Sequence, residues 1–200
     1  MNEPTKSDLT RRKILEAGRD LVRRQGFGGV GIARILSASG VPKGSFYYYF
    51  PSKEAFGQAL LLDYVTDYLA RFDALTTTSL TAGEKLNRFW AAWLTQADSE
   101  GIASKCLVVK LAAEIADLSD EMREVLDQGV CQLVARIAEL LREGGADASV
   151  RKFVDPDATA QMLYAKWLGA AILAKLSRDD LPLRRALTET ITHLSPDPKD

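Results

Sequence analysis

The sequence predicts an all-α protein: a head of three short helices, residues 1–51, followed by a longer helical body, residues 52–200. Three observations carry the prediction. Apolar residues recur at spacings of three and four over most of the chain, the period of a helix with one buried face. No useful length alternates with period two, as a half-buried strand does. Capping and breaking residues stand at the ends of the periodic runs rather than inside them.

The elements follow in order. Ile14, Ala17, Leu21, Val22 and Gln25 mark one face of a first helix, with Ser7 as candidate N-cap and Gly26 as its stop. A short apolar segment over residues 30–36 ends in Ser37 to Gly40, and Pro42 introduces a third helix over residues 43–50. Pro51 breaks that helix, and Ser52 caps the long one that follows. The spacing then predicts helices over about 53–75, 82–99, 105–116, 119–144, 155–178 and 180–193. Asp155-Pro156 is a helix start with proline at the first helical position, and Gly144-Gly145 is a stop.

Composition narrows the class. Apolar residues make up 46% and charged residues 26% of the 200, which suits a folded core and excludes disorder. Two cysteines and one histidine supply neither a disulfide framework nor a zinc site, so no metal or cofactor is expected. No apolar run approaches the length of a membrane span, and the first residues lack a signal-peptide core. A soluble, cytoplasmic protein with no membrane partner is expected. Charge is uneven: residues 1–60 hold ten Lys/Arg against five Asp/Glu, whereas the remainder is net acidic. An anionic partner at one end of the chain follows.

The segment over residues 37–42, SASGVP, joins two short helices by a tight turn in which Gly40 suits a left-handed position. That is helix-turn-helix geometry, whose second helix enters the major groove of DNA. Helical spacing puts Phe46, Tyr49 and Phe50 on one face, with Phe46 and Phe50 as core. Lys43, Gly44, Ser45, Tyr47 and Tyr48 are left to face outward. Small residues at 44 and 45 admit close approach of a duplex, and tyrosine hydroxyls and lysine suit phosphates and base edges.

Residues 14–56, ending GVPKGSFYYYFPSKEAF, resemble the DNA-binding domain of the tetracycline-repressor (TetR) family. The resemblance implies a homodimer with two such heads on double-stranded operator DNA, above an all-α body that binds a ligand and dimerises. It places Lys43, Gly44, Ser45, Tyr47, Tyr48, Tyr49 and Lys53 where the family touches DNA. One departure stands out: many members open the second helix with a Thr-Thr or Thr-Ser pair, where this chain has Val30-Gly31. A phosphate contact there falls to backbone N–H groups or is absent.

The body carries a second resemblance. Residues 101–111, GIASKCLVVKL, with 113–119, 164–170 and 174–178, are similar to the NemR-type branch, which resembles thiol-based sensors of reactive electrophiles and oxidants. The resemblance implies a small reactive molecule as inducer and favours Lys175 as a pocket lysine near Cys106. Acrylate-responsive relatives share the glycine and the Cys-Leu-Val run, which leaves a non-covalent ligand as the alternative.

The residues bear on this independently. With Ser104 as N-cap, Cys106 falls in the first turn of a helix, where free N–H groups favour a thiolate. Lys105 is adjacent and Lys110 lies four residues on. The other reading of Cys106 is a small buried hydrophobe. Cys131, between Val130 and Leu133 with no cation or helix end beside it, reads as packing. Trp90, Trp93 and Trp167 stand at core spacing, with Trp167 a candidate for the ligand pocket. Lys166 and Lys175 interrupt an apolar helix and either snorkel to the surface or line a pocket. Helices 155–178 and 180–193 are expected to pack on their twofold mates, where Gly169 to Ala171 allow close approach. A thiol enzyme is disfavoured, because no CxxC pair and no base beside Cys106 supports one. An inert scaffold leaves the basic head unexplained.

Overall fold

Thr5, not Ser7, opens the first helix. Its hydroxyl accepts from the Asp8 N–H at 3.1 Å while the Asp8 carboxylate accepts from the Thr5 N–H at 2.9 Å. This reciprocal pair satisfies two donors, which a cap at Ser7 does not. The structure, a computed structural model, describes residues 5–77, 79–94 and 100–196. It holds ten helices in these residues: α1 (Lys6–Gln25), α2 (Ile32–Ser39), α3 (Lys43–Tyr49), α4 (Lys53–Thr76), α5 (Ala82–Ala91), α6 (Ile102–Lys105), α7 (Leu107–Leu118), α8 (Asp120–Ala146), α9 (Pro156–Ser177) and α10 (Leu181–Leu194). No strand occurs among the described residues, and the all-α prediction stands.

Several boundaries agree with the residues that predict them. Ser52 accepts from the Ala55 N–H at 3.0 Å, and Asp155 from the Ala158 N–H at 2.9 Å ahead of Pro156. Other boundaries differ. The helix predicted over 82–99 ends at Ala91; residues 95–99 lie outside the described residues. The helix predicted over 105–116 is two helices, because Cys106 takes an extended backbone conformation between α6 and α7. Gly144-Gly145 does not stop α8, which runs on to Ala146. There Val150 packs so closely on Gly144 that a Cβ would meet its side chain at 2.6 Å. Packing, not turn conformation, accounts for that glycine.

The backbone forms two compact units, and the boundaries between them fall inside α4, α7 and α8. One comprises Met1–Asp67 with Lys110–Gln128. Its core gathers Ile14, Val22, Ile35, Phe46, Phe50 and Phe56, the last three in mutual ring contact at 5.3–5.6 Å. Arg19 of α1 bonds both Asp63 and Asp67 of α4. Burial opposes the guanidinium charge, but the bond to Asp67 and the two carboxylate charges outweigh it and hold the pKa above its ordinary value.

The other unit comprises Tyr68–Val109 with Gly129–Asp200. Its centre is aromatic. Trp90 stacks on Trp167 at 5.0 Å, Trp93 lies 5.5 Å from Trp167, and Phe89 joins Trp90 at 4.7 Å. All three indoles are fully buried. Trp167 donates to Thr190 at 3.1 Å, tying α9 to α10.

Candidate DNA interface and sensor site

The head places its polar and apolar residues as helical spacing predicts. Gly40 takes φ +63°, the left-handed conformation, and its N–H caps α2 through Leu36 at 2.9 Å. A residue with a Cβ is strained there, so the glycine sets the turn. Val41 and Phe46 are buried, which pins the short α3 to the core by one face. Lys43, Gly44, Tyr47 and Tyr48 are on the opposite side and exposed, Tyr48 by 79%. Ser45 is half-buried. Tyr49 is also half-buried, and its hydroxyl pairs with Ser7 of α1 at 3.1 Å. Nothing lies within 4 Å of the position a Cβ on Gly44 would take. The N-cap of α2 is Gly31, which has no side chain to cap with and leaves the first-turn N–H groups without that partner.

Lys53 stands differently from its neighbours on this surface. Its ammonium donates to the Gly28 carbonyl at 3.4 Å and lies 4.8 Å from the centre of the Phe27 ring. It braces the α1–α2 loop.

In the second unit Cys106 is 3% exposed and occupies the junction of α6 and α7. Ser104 is not the N-cap of its helix; it lies within α6, whose N-cap is Gly101, and its hydroxyl donates back to the Gly101 carbonyl at 2.9 Å. The cysteine itself stands at the N-cap of α7, and its sulfur accepts from the Val109 N–H at 3.5 Å. Cys106 is therefore not in the first turn of a helix capped by Ser104, as expected, but precedes α7 with its own sulfur as the capping atom. Tyr164 lies close enough to feel it: burial pushes the phenol well above its usual pKa, and negative charge on Cys106 adds to this. Lys105 is about half exposed and pairs with Glu100 at 3.4 Å.

Cys131 is exposed on α8, which corrects the expectation that it packs inside. Of its apolar neighbours Leu133 is buried and Val130 half-buried. A helix turns residue 131 away from that face.

A cavity of about 310 Å³ lies in the same unit, lined among others by Trp93, Ser104, Lys175, Arg178, Asp179 and Asp180. Lys175 is exposed and shares this cavity with Ala103 and Ser104, the residues just before Cys106. Trp167 is enclosed in the aromatic core with its N–H committed to Thr190. Lys166 reaches out to Glu189 at 2.8 Å. Among the described residues no cluster of His, Cys, Asp or Glu is arranged to hold a metal ion, and no helix is long and apolar enough to cross a membrane.

Sequence spacing gave no sign of one contact. The Glu114 carboxylate of α7 accepts from the N–H groups of Phe27 at 3.1 Å and Gly28 at 2.6 Å. The partners are 86 and 87 positions apart, beyond any local pattern. The only sequence signal is the glycine-rich run over residues 26–31, GFGGVG.

An exposed polar face on the second helix of a helix-turn-helix defines a DNA-binding regulator. The description "Bacterial regulatory proteins, tetR family" fits residues 14–60, and "Tetracyclin repressor-like, C-terminal domain" fits residues 82–190. The chain belongs to the TetR family, whose members are transcriptional regulators rather than enzymes. It is 40% identical to the HTH-type transcriptional repressor NemR of Escherichia coli K12 over 192 residues, 94% of each chain. The crystal structure of reduced E. coli NemR superposes with a TM-score of 0.85, covering 96% of this chain and 99% of that one at 35% identity. A crystal structure of a TetR/AcrR-family regulator, 46% identical, also gives a TM-score of 0.85 over 94% of this chain and all of that one.

Proposed function

We propose that this chain is a homodimeric, cytoplasmic transcriptional repressor that binds palindromic operator DNA and is released when a reactive electrophile or oxidant modifies Cys106. The observation that carries the reading is the buried Cys106 sulfur at the start of α7, accepting from the Val109 N–H. Backbone N–H groups and the helix dipole favour negative charge on that sulfur, and a thiolate is the reactive form. Toward an N-ethylmaleimide-like alkene the sulfur donates its electron pair to the β-carbon. The π pair moves to the α-carbon, which takes a proton from water. Close packing around the sulfur has no room for the adduct, so the α6–α7 junction must move.

On the DNA side, Tyr47, Tyr48 and Lys43 meet base edges and phosphates, Gly44 and Ser45 admit the duplex, Tyr49 orients from its bond to Ser7, and Lys53 faces a phosphate while bracing the loop. The uncapped start of α2 supplies backbone N–H groups to a phosphate in place of the family's threonines. Two heads must reach successive major-groove faces about 34–36 Å apart, so a dimer is required. α9 offers the surface for one. Met162, Ile172, Leu173 and Leu176 form an exposed apolar stripe around Gly169, continued by Leu181 and Ile191 of α10.

The test is Cys106→Ser. Serine keeps a capping oxygen at the start of α7, so operator binding is expected near wild type. Release by N-ethylmaleimide or hypochlorite is expected to vanish, while Cys131→Ser is released normally despite losing the more exposed thiol. A Cys106→Ser protein that still leaves its operator on treatment refutes the reading. The cavity beside Ser104 and Lys175 then supports the second reading, a small ligand held without covalent chemistry, with Lys175 and the neighbouring Trp93–Trp167 cluster in its recognition.

A further inference from the structure

We infer that Glu114 is the positioning residue that passes the state of Cys106 to the DNA-binding head; the inference rests on Cys106 being the sensor. The loop between α1 and α2 leads into the helix-turn-helix, and the one bond within its own backbone runs from the Val30 N–H to the Phe27 carbonyl at 3.3 Å. The Gly26 N–H is used on Val22 at 2.9 Å, closing α1, and α2 does not begin until Ile32. The next two donors, on Phe27 and Gly28, have no helical acceptor. Both go to one carboxylate, Glu114, each oxygen taking one N–H. These are charge-assisted bonds, the stronger kind.

The loop is shaped to receive this side chain. A Cβ on Gly26 would lie 2.8 Å from one Glu114 oxygen, and a Cβ on Gly28 would lie 3.1 Å from the other. Gly26 has a second reason to be glycine, its φ of +81°. Gly28 has no such φ, so crowding by the carboxylate is the constraint visible at that position. On the other side of the same residue Lys53 donates to the Gly28 carbonyl at 3.4 Å. Gly28 is thus held between an anion from α7 and a cation from α4.

Glu114 and the Cys106 cap belong to one helix. The cysteine sulfur closes the first turn of α7, and Glu114 stands about two turns further along it. An adduct at Cys106 that removes the cap or shifts the first turn moves the rest of a rigid helix with it. A bidentate carboxylate transmits that movement to the loop because its two bonds fix direction as well as distance. Without Glu114, α7 can move and leave the loop where it is.

The experiment uses full-length protein in a Cys131→Ser background, so that Cys106 is the thiol alkylated. Operator affinity is measured before and after N-ethylmaleimide for wild type, Glu114→Ala and Glu114→Gln, and the rate of Cys106 alkylation is followed by mass. Each protein is compared with its own untreated form, and the wild type is expected to weaken at least ten-fold on treatment, a typical coupling between sites. Glu114→Ala is expected to weaken less than about three-fold while its Cys106 alkylates at the wild-type rate. Glu114→Gln retains one acceptor oxygen and is expected to fall between. Amide exchange at Phe27 and Gly28 is expected to speed up about ten-fold in Glu114→Ala, with α7 still protected. A Glu114→Ala protein released as fully as wild type overturns the transmission role. A wild type that keeps its operator after alkylation overturns the sensor reading, and the transmission with it.

Discussion

Phe46 and Tyr48 are two residues apart on α3, and replacing each by alanine separates folding from reading. Phe46 is fully buried and contacts Tyr47, Phe50 and Phe56 at 5.5–5.6 Å between ring centres. Its removal leaves a cavity that this short helix cannot fill, at a cost of about 3–5 kcal/mol. For a chain of this size each kcal/mol lowers Tm by about 2–4 °C, so Phe46→Ala is expected to melt at least 6 °C lower. Tyr48 is 79% exposed, and its principal intramolecular partner is Tyr49, edge-on at 4.9 Å. Losing that exposed ring contact costs under about 1 kcal/mol. A lost base contact instead costs about 1–3 kcal/mol of discrimination, a five- to 150-fold drop in preference for operator over random duplex. The assay is fluorescence anisotropy with an operator selected by the wild type and with a scrambled duplex. Salt is held fixed, because non-specific affinity follows salt. Thermal melting is run on the same samples. If Tyr48→Ala loses several degrees in Tm and keeps its preference, α3 has been assigned the wrong face.

Three further outcomes are expected. Thr190→Val leaves the buried Trp167 N–H without its acceptor and lowers stability by about 1–3 kcal/mol, whereas Thr190→Ser retains most of it; equal loss in both on denaturant titration refutes a role for the hydroxyl. The bond from the Ser149 hydroxyl, then those from the Ala82 and Ser149 N–H groups, hold the Asp147 carboxyl below its ordinary pKa, so its stabilisation is complete above the usual carboxylate range and fades as pH falls through it. Asp147→Asn should therefore melt below wild type at neutral pH, with the gap closing below about pH 4. Leu173→Glu puts a charge in the exposed stripe of α9 and is expected to sediment as a folded monomer; a persistent dimer places the twofold contact elsewhere.

The head was legible from sequence because its signals are local. Gly40 needs a left-handed turn, Phe46 and Phe50 fall on one face by spacing, and Tyr48 has nowhere to go but out. The Cys106 site was half legible. A helix start near Cys106 was expected, but from Ser104 as its cap, which lies within α6; the break at residue 106 was not, because no proline or glycine marks it. An extended cysteine whose sulfur caps the next helix looks, in sequence, like the middle of one continuous helix over 105–116. Cys131 failed for a related reason: apolar neighbours at 130 and 133 suggest a buried face, but only Leu133 is buried and residue 131 is turned outward. Glu114 was out of reach, because what makes it special is an unsatisfied loop far away in the chain.

The three tryptophans also give the protein an internal optical reporter. Trp90, Trp93 and Trp167 are all of its indoles, and all belong to the unit made of Tyr68–Val109 and Gly129–Asp200. The recognition helix carries only tyrosines and phenylalanines. Emission excited at the red edge of indole absorption therefore comes from one side of the molecule's working cycle. Duplex binding alters that emission only through the protein, never by direct contact with an indole at the recognition helix. Trp93 is also among the residues that line the cavity. Unlabelled protein can thus be titrated with DNA and with N-ethylmaleimide in the same cuvette, and a spectral response to DNA alone reads out communication from the recognition helix to the indoles.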